Sequence, residues 1–399
     1  SDRGVLLKKN EAIGFPESRT TQYEWHPQWR LPLKVTEPGR TTEYTYDDRG
    51  NRLSETVTDG TTARTTRWTY TPQSLVATET APNGAVTSYQ YDSLGNLTQS
   101  TNALGHTQRY THDGAGRVLT HTDPNGTLTT YTYTYDLRGR MLSASVGGIA
   151  SHYTYTPSGQ LASVHFAHGH RISYQYDAAQ RLVGWSDNRG ASASYALDPM
   201  GNRISEEIRN AQGQQVWQLA RSINSLNRVE STTQAGQTTR YSYDANGDLT
   251  STTNGAGETT YYGLDALRRL KTLYNAENAT ASLSYNAQDA ITQARDYKGV
   301  STTYGRDALG NATSETSPDS GQQSTQYDAL GLPQQVTDAL GRSTTYERDL
   351  LGRPTHITHR DGTTTTLQYD QGAVGYLSSI TDTSGTTSYE RDAQGRITR

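Results

Sequence analysis

Aromatic and polar positions alternate along this chain in short runs, each broken by a turn signal. Tyr44-Thr45-Tyr46 is one such run, and Asp47-Asp48-Arg49-Gly50 follows it. A period of two puts both tyrosines on one face of a strand. Asp at the first position and Gly at the fourth suit a type I turn that closes a hairpin. The return strand is then Arg52-Leu53-Ser54-Glu55-Thr56-Val57. The unit recurs as Tyr89, Tyr91, Asp92 and Gly95, and as Tyr133, Tyr135, Asp136 and Gly139. It recurs again as Tyr174, Tyr176 and Asp177, and as Tyr241, Tyr243, Asp244 and Gly247. Later copies place Arg in the second tyrosine position, as in Tyr304-Gly305-Arg306-Asp307 and Tyr346-Glu347-Arg348-Asp349.

The Asp position can be followed as a column from Ser1 through His26, Asp47 and Thr71 to Asp392. That is 391 residues in 18 steps, a mean of about 21.7. A second, looser turn falls about ten residues after each first one. Asp59-Gly60, Asn102-Ala103-Leu104-Gly105, Asp187-Asn188-Arg189-Gly190 and Asp338-Ala339-Leu340-Gly341 are examples. Two turns per repeat predict an all-β meander of about 18 hairpin repeats and about 36 strands. At about 4.8 Å per strand the sheet would be about 170 Å wide, far beyond an open twisted sheet. It must curl or spiral. A single closure would be about 55 Å across and wide enough to enclose a small domain. One array over residues 1–399, cut from a longer wall and with no second domain, is expected. The unpaired strand at each end of such an array predicts self-association.

Composition sharpens this picture. There are 28 Tyr against 2 Phe. Of the tyrosines, 23 fall one or three positions before the Asp column; only Tyr131, Tyr261, Tyr274, Tyr297 and Tyr376 do not. Leu, Ile, Val and Phe make up only about 15%, thin for a two-layer core. A single-layer wall with tyrosines stacking in cross-strand ladders, their hydroxyls toward water, needs less apolar surface. The formal charge of -4 argues against a nucleic-acid partner. No apolar run is long enough for a transmembrane helix. The absence of Cys excludes disulfides and Cys-ligated metals.

The recurring Tyr-Asp unit resembles the YD-repeat, or Rhs, family. The residues that carry the resemblance are Tyr46-Asp47-Asp48-Arg49-Gly50-Asn51, Tyr91-Asp92-Ser93-Leu94-Gly95-Asn96, Tyr135-Asp136-Leu137-Arg138-Gly139-Arg140 and Tyr176-Asp177-Ala178-Ala179-Gln180-Arg181-Leu182. The resemblance covers the whole chain. It implies a spiralling β-sheet forming part of a hollow cocoon, as in bacterial Rhs polymorphic toxins. It further implies a C-terminal toxin domain as enclosed cargo, the rest of the same shell as a partner, and a secretion spike and chaperone of a type VI-like system. Synthesis in the bacterial cytoplasm followed by secretion or delivery to a target cell would follow.

No single chemical constellation stands out, so no catalytic residue, metal ligand or cofactor is expected. Asp198-Pro199-Met200-Gly201 matches the start of the family's autoprotease cleavage site, but Asn202-Arg203 follows it and both ends sit in repeat columns. A plain turn is expected there. His168 and His170 could share a strand face and a metal, yet no carboxylate lies near in sequence and His168-Gly169 falls at a second turn. The recurring Asp residues could suggest paired catalytic carboxylates, but recurrence favours turn capping. Tyrosine faces could stack on sugars, which leaves a surface adhesion or carbohydrate-binding protein as the alternative to a container wall.

Overall fold

The computed structural model describes residues 4–126, 130–392 and 395–399. Ser1, the first member of the Asp column, lies outside them. The described residues form one 36-stranded sheet, from β1 (Lys8–Glu11) and β2 (Arg19–Trp25) through β3 (Pro32–Glu37), β4 (Arg40–Tyr46) and β5 (Arg52–Thr58) to β36 (Gly385–Ser388). Each strand pairs antiparallel with the next in sequence, so the sheet is a pure meander.

The Asp turns are tight. Asp47 N–H donates to the Asn51 carbonyl (2.9 Å) and Gly50 N–H to the Asp47 carbonyl (3.1 Å). The ladder shifts register at Thr45/Tyr46, a bulge that recurs in Asp-turn hairpins along the sheet. Its fourth residue needs a left-handed backbone. Gly95 adopts φ 87°, and where glycine is missing Ser74 and Arg268 adopt 62° and 64°. The second turns vary more than the Asp turns, as their looser sequence pattern suggests. Asn102, Asn210 and Asp338 close with the same two backbone hydrogen bonds. Others, such as those joining Glu37 to Arg40, Val146 to Ile149 and Gln234 to Gln237, turn in two residues.

Two residue alternations give the wall two faces. On β4, Tyr44 and Tyr46 are half-buried on one face, and Thr45 is exposed on the other. The opposite face carries hydroxyl pairs across strands, such as Thr45 with Ser54 and Thr69 with Thr78, both at 2.6 Å. There is almost no core. Among the described residues, the only buried apolar side chains are Val164 and Ala193. The accessible surface is 23401 Å², against roughly 15,400 Å² for a compact protein of this mass. A single layer, wet on both faces, accounts for the excess.

The sheet winds back on itself. The β1–β2 connection meets the turn at Asp289, 270 residues later. Asn83 meets Leu350, 267 residues later, and Asn125 meets Val374, 249 residues later. One winding therefore takes about 25 strands, or about 120 Å of circumference and a diameter near 38 Å. The expected single closure at about 55 Å is corrected. Strand number is legible in the sequence, but curvature is not, and 36 strands make about one and a half windings.

Candidate functional site

The repeat chemistry gathers at the Asp-turn edge. The Tyr46 hydroxyl donates to the Pro32 carbonyl (2.8 Å), the first residue of the preceding strand β3. Tyr91 does the same to Val76 (2.9 Å), Tyr135 to Val118 (2.8 Å), Tyr176 to Leu161 (2.9 Å) and Tyr243 to Val229 (2.8 Å). Each of these tyrosines thus latches its strand to the previous repeat. Phenylalanine cannot donate, which accounts for tyrosine at this position. The hydroxyl faces a backbone oxygen rather than bulk water, a correction to the expected role.

Some exceptions keep the donor, although Leu197, Ile223 and Leu264 hold the same position without one. Where Arg replaces tyrosine, the guanidinium reaches the equivalent carbonyl: Arg306 to Ile291 (3.0 Å) and Arg348 to Pro333 (2.9 Å). Trp25 uses its indole N–H on the Leu6 carbonyl (2.7 Å). In these three the donor is kept while the phenol is not.

The Asp carboxylate organises the turn. Asp136 Oδ1 accepts the amides of Arg138 (2.8 Å) and Arg140 (3.0 Å), and Oδ2 accepts Arg140 Nε (2.7 Å). In Asp47 and Asp92 the side-chain amides of Asn51 and Asn96 take the place of Arg. These bonds favour the ionised form. The Asn51 side chain first, then backbone amides, hold the Asp47 carboxyl below its usual range. The residue after the turn glycine also ties repeats together. Arg117 bonds Asp113, lies 4.9 Å from the Tyr135 ring centroid and donates to the Asp136 carbonyl (3.1 Å). Arg269 repeats this on Asp265, Tyr285 and Asn286. Gly-(Asn/Arg) was visible as a motif, but its inter-repeat role was not.

The tyrosines three positions before Asp lie deeper in the wall. Tyr44, Tyr89, Tyr133, Tyr174 and Tyr241 face Glu55, Ser100, Ala144, Trp185 and Thr252 on the return strands. The expected tyrosine ladders do not form; no Tyr–Tyr ring pair occurs among the described residues. Repeat tyrosines stand on alternate strands, about 9.6 Å apart and beyond ring contact. The longest aromatic stack is instead Tyr110–His121–Tyr131, with centroids 4.7 and 5.5 Å apart.

The other candidates resolve into local structure. Asp198 caps an ordinary repeat turn: its carboxylate accepts the Asn202 amide and side chain, both at 2.8 Å. His170 Nε2 lies 3.1 Å from Asp187 Oδ2, a carboxylate the sequence spacing did not bring near, while His168 is exposed. Among the described residues no group of three or more His, Asp or Glu is placed to hold a metal.

The second organised feature is the seam between windings. Every contact joins second turns of the first winding to Asp turns of the second. Arg19 pairs with Asp289 (2.8 Å) and donates to the Ala287 carbonyl, and Lys271 pairs with Glu17 (3.1 Å). Gln288 donates to the Pro38 carbonyl. His106 lies 3.6 Å from Asp370, which Arg353 grips at 3.1 and 2.7 Å. The Arg353 guanidinium holds the Asp370 carboxyl below its usual range, with the Gly375 amide and His106 adding to this. A cavity of about 290 Å³ lies in the seam between Glu17, Arg19, Asp265 and Arg269.

The sequence matches the Teneurin YD-shell family over residues 41–221 and 194–310, and the RHS Repeat family over 327–364. No curated protein matches the chain. Among solved structures, the TcdB2-TccC3-TEV crystal structure is similar at a TM-score of 0.66 and 14% identity, covering 97% of this chain and 27% of that one. The Photorhabdus luminescens Tc holotoxin pore carrying TccC3-D651A is similar at a TM-score of 0.63 and 13% identity, covering 95% and 27%. This chain therefore spans about a quarter of the length of those relatives. With more than half of its residues inside the YD-shell match and a single-layer spiral as its fold, the chain belongs to the YD/RHS-repeat family.

Proposed function

We propose that this chain is a stretch of shell wall that encloses a toxic polypeptide until delivery. The observation that supports the reading best is the seam. A surface built only to present tyrosines to a glycan has no need to fasten one winding to the next, whereas a container does. Neighbouring structures are described as TcdB2-TccC3-TEV, as TcdB2-TccC3 without hypervariable C-terminal region, and as a Tc holotoxin pore. A toxin assembly with a variable C-terminal region is the arrangement the proposal carries over. Export by a type VI-like machine, with a spike and a chaperone, belongs to the same proposal and rests on the family resemblance alone.

The bore limits the cargo. Side chains reach about 5 Å from a sheet, which leaves a clear width of about 28 Å. A folded 100-residue domain has a radius of gyration of about 13 Å and a diameter near 34 Å. The proposal therefore takes the cargo to be held unfolded, as a flexible chain that can conform to a bore narrower than a folded domain of that size.

The test uses the absence of native Cys. Single cysteines at Tyr174 and Gln175 stand on opposite faces of the same strand. A 5-kDa polyethylene-glycol maleimide should modify one quickly and the other slowly, and a small maleimide should modify both. Equal access of the large reagent to both faces contradicts the container reading.

A further inference from the structure

We infer that His152 and His165, set opposite each other by the register of two neighbouring strands, bind one divalent transition-metal ion of the class imidazole prefers: Cu2+, Ni2+ or Zn2+. The inference rests on that register and not on what the wall encloses.

The strands are β14 (Ile149–Tyr155) and β15 (Leu161–His165), and His152 stands directly opposite His165 in their ladder. Residues opposed in this way have Cβ atoms about 4.5–5.5 Å apart. The next pair on the same face, Thr154 and Ser163, is close enough for its hydroxyls to hydrogen-bond at 2.7 Å. At that spacing two imidazoles can each bring a ring nitrogen to about 2.0–2.1 Å from one ion. The pair stands on a face of the sheet, on strands paired on both sides. Windings meet through their turns, so the site does not depend on a free edge of the strip.

The surroundings suit a ligand pair. His152 is exposed, and its ring has no hydrogen-bond partner among the described residues. His165 is held by one nitrogen: its Nε2 lies 2.9 Å from the hydroxyl of Ser163, which is 8% exposed. A metal-ligating histidine commonly has its second nitrogen fixed by such a partner, and Nδ1 is left for the ion. Among the described residues no third His, Asp or Glu is placed to join the pair, so water completes the coordination. The flanking strands carry one charge. Arg171 stands opposite His165 on β16 (Arg171–Tyr176), whereas β13 (Met141–Val146) sets Ser143 opposite His152. The Arg171 cation is exposed and works against a bound one. His168 and His170, the pair suggested by sequence spacing, lie apart from this site: His168 is in the turn after β15, and His170 is held by Asp187.

Calorimetric titration of the full chain with Cu2+ alone, paired with electron paramagnetic resonance of the bound ion, tests the proposal. One ion per chain should bind at about 10 µM or tighter, with two nitrogens in its coordination shell. His152→Asn and His165→Asn should each weaken binding about tenfold or more and leave a one-nitrogen spectrum. Ser163→Ala keeps both imidazoles and should weaken binding about tenfold. Arg171→Gln should tighten it about threefold. His168→Asn should change nothing. His152 and Arg171 are exposed, so their variants should keep native circular dichroism and melting, and they carry the test if His165→Asn or Ser163→Ala unfolds. A native chain that takes up no copper overturns the proposal. So does binding of unchanged strength in His152→Asn. A loss in His168→Asn equal to that in His152→Asn overturns it as well, since the ion would then sit at the turn.

Discussion

Asn125 and Val374, 249 residues apart, hold each other by two hydrogen bonds: Asn125 Nδ2 donates to the Val374 carbonyl (3.1 Å) and Val374 N–H donates to Asn125 Oδ1 (2.7 Å). A carboxamide offers one acceptor and a donor side by side, as a peptide group does. The seam thus copies a strand pairing through a side chain where two turns, not two strands, meet. Asn83 makes half of the same contact, donating to the Leu350 carbonyl at 3.0 Å.

Replacing Asn125 with Ala should open the seam locally. The Val374 amide should exchange with deuterium at least several-fold faster, because its only acceptor is removed. Global melting should change little, since the strand ladder is untouched. Asn125→Asp keeps the acceptor and should protect Val374 better than Ala does. Unchanged exchange in Asn125→Ala would contradict the seam.

The tyrosine latch predicts an unusual order of tolerance. Tyr91→Phe keeps the ring and loses the donor to Val76, and should destabilise by about 1 kcal/mol. Tyr91→Arg loses the ring but keeps a donor of the kind Arg348 supplies to Pro333, and should destabilise less than Phe does. Denaturant midpoints of the two variants decide it. Phenylalanine better tolerated than arginine would mean that packing, and not the donor, selects tyrosine.

Much of this fold was legible because local rules repeat. Tyr-x-Tyr fixed strand faces, Asp-x-x-Gly fixed turns, and the period fixed strand number. Legibility stopped where contacts cross repeats or windings. Arg117 bonds its own Asp113, which spacing suggests, but it also reaches Tyr135 and Asp136 in the next repeat. Nothing local marks that Asn125 will meet Val374, since sheet curvature sets the 249-residue offset. Pro82-Asn83-Gly84 and Pro124-Asn125-Gly126 both contact the second winding, a shared sequence signal that only the winding makes meaningful.

The Ala235-Gly236 turn is a site for stabilisation. It joins Gln234 to Gln237 directly, with φ of 47° at Ala235 and 78° at Gly236. That is a two-residue hairpin turn with both central residues left-handed, where Asn-Gly is preferred. Ala235→Asn should raise stability by about 0.5–1 kcal/mol by relieving a strained backbone. A lower denaturant midpoint in this variant would count against the turn geometry.

Acid should loosen the wall through its turns. The Arg342 guanidinium, then its backbone amide, pull the Asp338 carboxyl down to about 2, and Asp370 is lowered by Arg353. A folded value below the unfolded one stabilises the fold fully above about pH 4, and that stabilisation fades as pH falls toward about 2. Circular dichroism from pH 5 to 2 should show the melting temperature falling across this window. Asp338→Asn should flatten part of the fall. A melting temperature that stays level to pH 2 would contradict the carboxylate roles.

The winding itself can be read as a distance. In a cysteine-free chain, Val86→Cys and Leu351→Cys accept spin labels at exposed positions beside the Asn83–Leu350 contact. Double electron–electron resonance should give a single narrow distance below about 25 Å. An uncoiled sheet of the same strands would separate the two sites by about 120 Å, and a distribution with no population below about 50 Å would contradict the spiral wall.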